Sequence, residues 1–182
     1  MRTLLLATAA IIALAHIASA AILPIANYSM ENGQSGFTTY HDDTYNGAGN
    51  PNADGSFLSG GTGQLTDGVL GTDDIFNNGV FDWVGWFSIQ PLIVFDLGAE
   101  SVLNSLSLRA ANNSSIFNDV AVFGEAAISF SHDGVNFYDL FLFISSDADR
   151  TGNASRWVNI PIVNETARYV RAELFDGVKV GE

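Results

Sequence analysis

The sequence predicts an all-β fold, a β-sandwich or a barrel. Segments in which apolar and polar residues alternate recur downstream of Val80, and turn residues separate them. No stretch beyond residue 20 places apolar residues at a convincing helical spacing. About six to nine short strands joined by turns are typical of sandwiches and barrels.

The individual strands follow from local patterns. The run 91–97 is almost continuously apolar and ends at Gly98, which predicts a strand buried on both faces. Asp133-Gly134 is a tight-turn signal and predicts a hairpin that continues into residues 135–138. Four further segments put apolar residues at every second position, namely 105–110, 127–132, 157–162 and 169–174.

The first third of the domain is predicted to be irregular. Short edge strands are expected at 22–25 and 36–40, and Pro24 suits an edge because it cannot donate to a ladder. Residues 41–63 are rich in Asp, Asn, Gly and Ser and predict one long loop. Loops of this length in a compact domain are usually functional or mobile.

Residues 1–20 have the three parts of a secretory signal peptide. Arg2 gives a positive start, residues 4–17 are mostly apolar, and Ala18-Ser19-Ala20 is a small-x-small cleavage site. The apolar run is too short to cross a bilayer comfortably, so a transmembrane anchor is disfavoured. The sequence therefore predicts a signal peptide over 1–20 and a single domain over 21–182 that is secreted or held at the cell surface.

Charge and cysteine content exclude some classes of function. The chain has 20 acidic and 7 basic residues and a net charge of −13. A nucleic-acid partner is disfavoured, since such proteins need a basic stripe. The chain has no cysteine, so core packing, with or without a metal, must stabilise the fold without disulfides.

Residues 65–72 lack any strand or helix period and carry Asp67, Gly68 and Thr72. Ca²⁺ takes carboxylate, hydroxyl and carbonyl oxygens together, so this loop could fold around a cation. The alternative is a metal-free Asp-Gly turn.

Four spaced motifs then point to a known family. They are Leu-Thr-Asp-Gly at 65–68 with Trp83 and Trp86 after it, Ile-Val-Phe-Asp-Leu-Gly at 93–98, Ile-Ser-Phe-Ser-His-Asp-Gly-Val-Asn-Phe at 128–137, and Ala-Arg-Tyr-Val-Arg at 167–171. In this order the chain resembles the discoidin or coagulation-factor C-type family over about 60–182. The resemblance implies an eight-stranded, galactose-binding-like jelly-roll β-sandwich that binds sugars or other surface ligands without catalysis. It also suggests an exported bacterial subgroup of PEP-CTERM type, with a truncated C-terminus.

The family also implies a structural Ca²⁺ beneath the binding face. Carried over, Asp67 would bind through its carboxylate, Val69 through its carbonyl and Thr72 through its hydroxyl or carbonyl. The family's glutamate from the last strand would be Glu182; alternatively the motif ends at 176–177, and Gly177 has lost the carboxylate. The short terminal stub 178–182 would leave the closing strand incomplete and favour weak self-association.

The candidate ligand-binding residues lie in loops, where sandwiches usually carry their sites. They are Trp83, His41, Tyr45, Asn112 and Asn113. For each, a role in the core or in a turn is the alternative. The prediction is a carbohydrate- or glycan-binding module, with a structural or adhesive surface domain as the alternative.

An enzyme is disfavoured. The sequence has no Gly-x-Ser-x-Gly elbow and no cysteine, and beyond the signal peptide its only histidines are His41 and His132. Residues 147–152 resemble the first half of an EF-hand loop, but the twelfth position is Val158, so a polar hairpin loop is predicted there.

Overall fold

The computed structural model describes residues 21–36, 39–72, 82–87, 89–115 and 118–176, without the side chains of 113–119. Within them lie eight strands and one short helix, so the all-β prediction is confirmed. The elements are β1 Asn27–Glu31, β2 Phe57–Gly61, β3 Leu92–Ala110, β4 Asn113–Ser115, β5 Asn118–Val120, β6 Glu125–Ser131, β7 Tyr138–Ile144, α1 Asp147–Arg150 and β8 Arg156–Phe175.

Six of the strands form one antiparallel sheet in the order β2-β1-β3-β8-β6-β7, and β4 pairs with β5. A register shift between Asp96 and Ser101 divides the long β3–β8 ladder into two parts. Gly98, with φ 78°, occupies the break, where a left-handed backbone suits glycine. We call the pairing of 92–96 with 169–173 the first arm, and that of 101–110 with 156–167 the second arm.

The second arm packs across the first. Strands β1 and β6 pair with the first arm only. Val158 and Ile160, from the second arm, nevertheless share one buried cluster with Tyr28 and Phe130 of the first-arm sheet. Two layers with a common core are what the predicted jelly-roll sandwich requires.

Several predicted boundaries were wrong near the N-terminus. The first described strand is β1, whereas residues 22–25 have no regular structure. Of the predicted strand at 36–40, the described part shows one isolated bridge between Ser35 and Thr39. The predicted loop 41–63 contains β2, which pairs with β1.

Two further differences lie in the C-terminal half. β7 begins at Tyr138, so residues 135–137 belong to the turn that starts at Asp133-Gly134. The polar segment after β7 contains one helical turn, α1, because Ser146 and Asp149 form a reciprocal capping box.

Residues 1–20 and 177–182, with the predicted signal peptide, terminal stub and Glu182, lie outside the described residues. The last described strand, β8, is interior, because β3 and β6 flank it. Within the described part of the chain, no helix has the length and apolarity needed to cross a membrane.

Candidate functional site

Three loops converge on the end of the second arm. Arg109, near the end of β3, donates from Nη2 to the carbonyl of Gly71 at 3.3 Å and to Ser155 Oγ at 2.6 Å. Trp83 Nε1 donates to the carbonyl of Thr72 at 2.9 Å. The predicted cation loop, the tryptophan segment and the connection before β8 are therefore held together by side-chain-to-loop hydrogen bonds.

Trp83 is half-buried and is built into this junction. The Cα of Gly71 lies so close to the indole that a Cβ there would overlap the ring. The Arg109 guanidinium carbon lies 5.9 Å from the ring centroid, within cation–π range. The indole thus anchors the loop, and the role of Trp83 in ligand binding stays a prediction.

Asn112 joins the same end of the molecule. It is 1% exposed, and its Nδ2 donates to the carbonyl of Gly152 at 2.7 Å. Its Oδ1 is buried and accepts no hydrogen bond from the described residues. Asn113 begins β4, and its side chain lies outside the described set. The structure therefore brings Trp83 and Asn112 to one end of the sandwich, both in supporting positions.

The loop predicted to hold calcium is an exposed turn. Asp67 Oδ1 accepts a hydrogen bond from the amide of Val69 at 2.8 Å, and Gly68 has φ 80°. The carbonyl of Thr72 already accepts from Trp83. Within the described part of the chain, no group of three or more His, Cys, Asp or Glu side chains could hold a metal. The loop itself offers the Asp67 carboxylate and backbone carbonyl groups, which are ligand types that Ca²⁺ accepts.

His41 and Tyr45 lie elsewhere, in the long loop beside β1 and β2, and both are buried. The Tyr45 hydroxyl donates to the carbonyl of Tyr28 and accepts from the amide of Gly61 at 2.8 Å. His41 Nε2 lies 2.6 Å from Asp54 Oδ1. Both side chains are therefore buried and engaged within the chain, and their predicted contact with a ligand stays a prediction.

Asp42 is the centre of this buried network. Its carboxylate accepts hydrogen bonds from the hydroxyl of Tyr28 and, at 2.8 Å, from the amide of Gln64. Its own amide donates to Asn32 Oδ1 at 2.8 Å. Burial raises the pKa of Asp42, although the two hydrogen bonds to its carboxylate act in the opposite direction. The network fixes the long loop against the sheet and explains why so polar a segment is ordered.

The aromatic side chain best placed to meet a ligand was not among the predicted site residues. Trp157 is 54% exposed on the outer face of the second arm, directly opposite Arg109 in the ladder. Beside this pair, Ser107 Oγ donates to Asn159 Oδ1 at 3.0 Å. The alternation in the sequence did indicate that Trp157 is exposed, because it occupies the polar phase of a strand whose apolar phase begins at Val158.

Comparison with known proteins finds a receptor with a similar sequence. A relative in Caenorhabditis elegans, the discoidin domain-containing receptor tyrosine kinase B, is 32% identical over 152 residues. The alignment covers 81% of this chain and 18% of the receptor, so the chain spans about a fifth of the receptor's length.

Solved structures show weaker similarity. The C-terminal domain of a chitobiase from Bacteroides fragilis has a TM-score of 0.45 at 16% identity, covering 84% of this chain and 81% of that domain. Chitosan-binding module 1 of a chitosanase/glucanase from Paenibacillus has a TM-score of 0.32 at 18% identity, covering 51% and 62%. Neither similarity is strong enough to indicate a ligand.

The family assignment comes from the sequence match. The family described as "Discoidin domain-containing receptor 1/2, DS-like domain" matches residues 24–178, which is most of the chain. This agrees with the family predicted from the four motifs, while the PEP-CTERM subgroup stays a prediction. The chain therefore belongs to the discoidin-receptor DS-like domain family.

Proposed function

We propose that this chain is an exported carbohydrate-binding module and that the outer face of the second arm contacts the sugar. Discoidin-type domains are non-catalytic binding modules that are usually extracellular or at the cell surface. The observation that carries the carbohydrate proposal is Trp157, a large aromatic side chain exposed near the start of β8, in the polar phase of that strand.

The surroundings of Trp157 suit a sugar. The apolar face of a pyranose stacks on an exposed indole, and its hydroxyls need donors and acceptors at the rim of the ring. Ser107 and Asn159 provide such groups from two paired strands. Because the ladder fixes their spacing, little conformational entropy is lost on binding.

The test uses the full chain on a glycan array, followed by calorimetric titration of the glycan that it retains most strongly. Trp157→Ala should weaken binding about tenfold, since it removes the stacking surface. Phe57→Ala is the matched control, because Phe57 is also an exposed aromatic on a strand but lies on β2. Retention of no glycan, or equal loss in both variants, would contradict the proposal.

The proposal includes a structural Ca²⁺ on residues 65–72. Asp67 would contribute its carboxylate, Val69 its carbonyl and Thr72 an oxygen, with Glu182 as the further ligand predicted from the family resemblance. The exposed Asp67 carboxylate and the open turn at Gly68 support this assignment. A bound cation would stabilise the same loop to which Trp83 and Arg109 are attached.

A structural or adhesive role is the second candidate, and a separate observation favours it. Strand β7 is an edge of the described sheet and exposes Leu140, Leu142 and Ile144, each more than 60% accessible. Unprotected apolar edge strands favour pairing with another strand, here the same strand of a second copy. Sedimentation of the full chain over a range of concentrations tests this, and Leu142→Lys should shift any dimer to monomer.

A further inference from the structure

A cavity of about 290 Å³ opens beside the β6–β7 hairpin, between the two layers of the sandwich. Phe130, Phe141 and Ile162 form its apolar floor. The rings of Phe130 and Phe141 are nearly parallel, at an interplanar angle of 23° and with centroids 6.3 Å apart. The cavity is at the small end of the range for ligand pockets, so it suits a short chemical group and not an extended chain.

Two carboxylates, Asp139 and Glu165, line the same cavity. The β6–β7 register shifts between Ile128 and Phe130, and Asp139 has φ 51°. On the other side, the β3–β8 register shifts just after Leu103, close to Glu165. Irregularities of this kind re-aim side chains relative to a regular ladder, and here both occur where an acidic residue borders the cavity.

The charged side chains that line the cavity are all acidic. Its lining contains no Lys or Arg. The neighbouring Tyr138 has a raised pKa, first because burial disfavours the phenolate and then because the Glu165 and Asp139 carboxylates are close. A third carboxylate near Tyr138, that of Glu100, is not part of the cavity lining. Its Oε1 lies 2.6 Å from His132 Nδ1, with which it pairs.

We propose that this cavity binds an alkylammonium group, a positive nitrogen carried on a short hydrocarbon chain. The Phe130 and Phe141 rings would contact the hydrocarbon and attract the cation through their faces. Asp139 and Glu165 would neutralise the charge at the rim. A metal ion suits the site poorly, since five of its seven lining side chains have no oxygen. The site is separate from the carbohydrate surface at Trp157, so either assignment can fail without the other.

The test is a titration of the full chain with n-butylammonium chloride, monitored through the chemical shifts of the backbone amides in NMR spectra. A parallel titration with sodium chloride at the same ionic strength is the control. Binding should be weak, about millimolar, because the ligand is small. It should weaken further at high salt. 1-Butanol has similar shape and no charge, so it should bind much more weakly. Equal binding of 1-butanol, or no saturable shift with n-butylammonium, overturns the proposal.

Variants locate the site. Glu165→Gln should weaken n-butylammonium binding about fivefold, which corresponds to the upper end of the interaction free energy of one exposed ion pair. Asp139→Asn should do the same, and Asn tolerates the left-handed backbone at this position. Glu125→Gln is the control, because Glu125 lies at the opposite end of β6 from Phe130. Thermal unfolding confirms that each variant is folded. Unchanged affinity in both cavity variants overturns the assignment.

The ammonium group could belong to a lysine side chain or to an amino sugar. Nα-acetyl-lysine amide and glucosamine are titrated in parallel to distinguish these sources. Saturable binding of either one that is weakened by Glu165→Gln supports the site, and the tighter of the two identifies the source. Binding of both that is insensitive to the variant contradicts it.

Discussion

Removing a single hydroxyl should reveal how strongly the buried network holds the long loop. Tyr28 and Asp42 are both completely buried, and the hydroxyl of Tyr28 donates to the Asp42 carboxylate. Tyr28→Phe keeps the ring in the core and leaves one carboxylate oxygen without this donor. The expected loss in free energy of unfolding is about 1.5–3 kcal/mol, the range for a hydrogen bond to a charged group. For a chain of this size the melting temperature should fall by about 3–12 °C.

The loss should depend on pH in a defined direction. Burial raises the pKa of Asp42 above its unfolded value of about 3.9. The folded state therefore holds the proton more tightly, and stability falls as pH rises from the unfolded pKa through the folded one. The Tyr28 hydroxyl favours the ionised carboxylate. Removing it therefore raises the pKa of Asp42 in the folded state further and widens the pH range over which stability is lost. Tyr28→Phe should cost less near about pH 4 than near about pH 8.

Thermal melts and urea titrations of the full chain at both pH values measure this effect. Tyr40→Phe is the matched control, because Tyr40 is also a buried tyrosine of this region but has no hydrogen bond from its hydroxyl among those described. Its cost should stay within about 0.5 kcal/mol at either pH. A cost for Tyr28→Phe equal to that of the control, or independent of pH, would falsify the role assigned to Asp42.

Three further predictions concern other loops. Gly71→Ala should displace the Trp83 ring, because the new Cβ would overlap it, and should shift the tryptophan fluorescence spectrum. Ca²⁺ should raise the melting temperature of the native chain by mass action, and Asp67→Ala should remove that response; a native melting curve unaffected by chelator would make the loop a metal-free turn. The pKa of Asp133 is lowered, first by the amide of Asn136, so Asp133→Ala should destabilise the fold at pH 7 and progressively less as pH falls below the unfolded pKa.

Alternation predicted the strands that carry the core. Val158, Ile160 and Ile162 are buried and belong to the core cluster, as the period-two pattern indicates. The pattern could not show that β3 and β8 each run through two arms. That division depends on register shifts such as the one after Asp96, which are set by the pairing of distant strands.

The N-terminal strands were harder to predict for a physical reason. β2 is Phe-Leu-Ser-Gly-Gly, a sequence with weak intrinsic strand preference, yet it pairs with β1. Leu58 is completely buried there, and the loop before it is tied down by Asn32, whose Nδ2 donates to the carbonyl of Pro51 at 2.9 Å. Tertiary contacts of this kind leave no periodic trace in a single sequence.

The predicted site residues were chosen for their chemistry, and their exposure could not be judged from sequence. His41 and Tyr45 have the polar and aromatic groups of a sugar site, and both use them to order a loop. The exposure of Trp157 follows from strand phase, which a sequence does show. For an aromatic residue, the polar phase of a strand is therefore a better indicator of exposure than a position in a loop.

The motifs that identify the family help to hold this fold together, which is why they predict architecture better than ligand. Asp96, from the motif at 93–98, and Arg168, from the motif at 167–171, form a two-pronged ion pair with distances of 2.8 and 2.9 Å. The pair lowers the pKa of Asp96 and joins β3 to β8 beside the break between the two arms. Trp83 likewise anchors the loop that carries Asp67. Trp157 lies outside all four of these motifs, so a match to them describes the scaffold and carries no information about the surface that we propose around this residue.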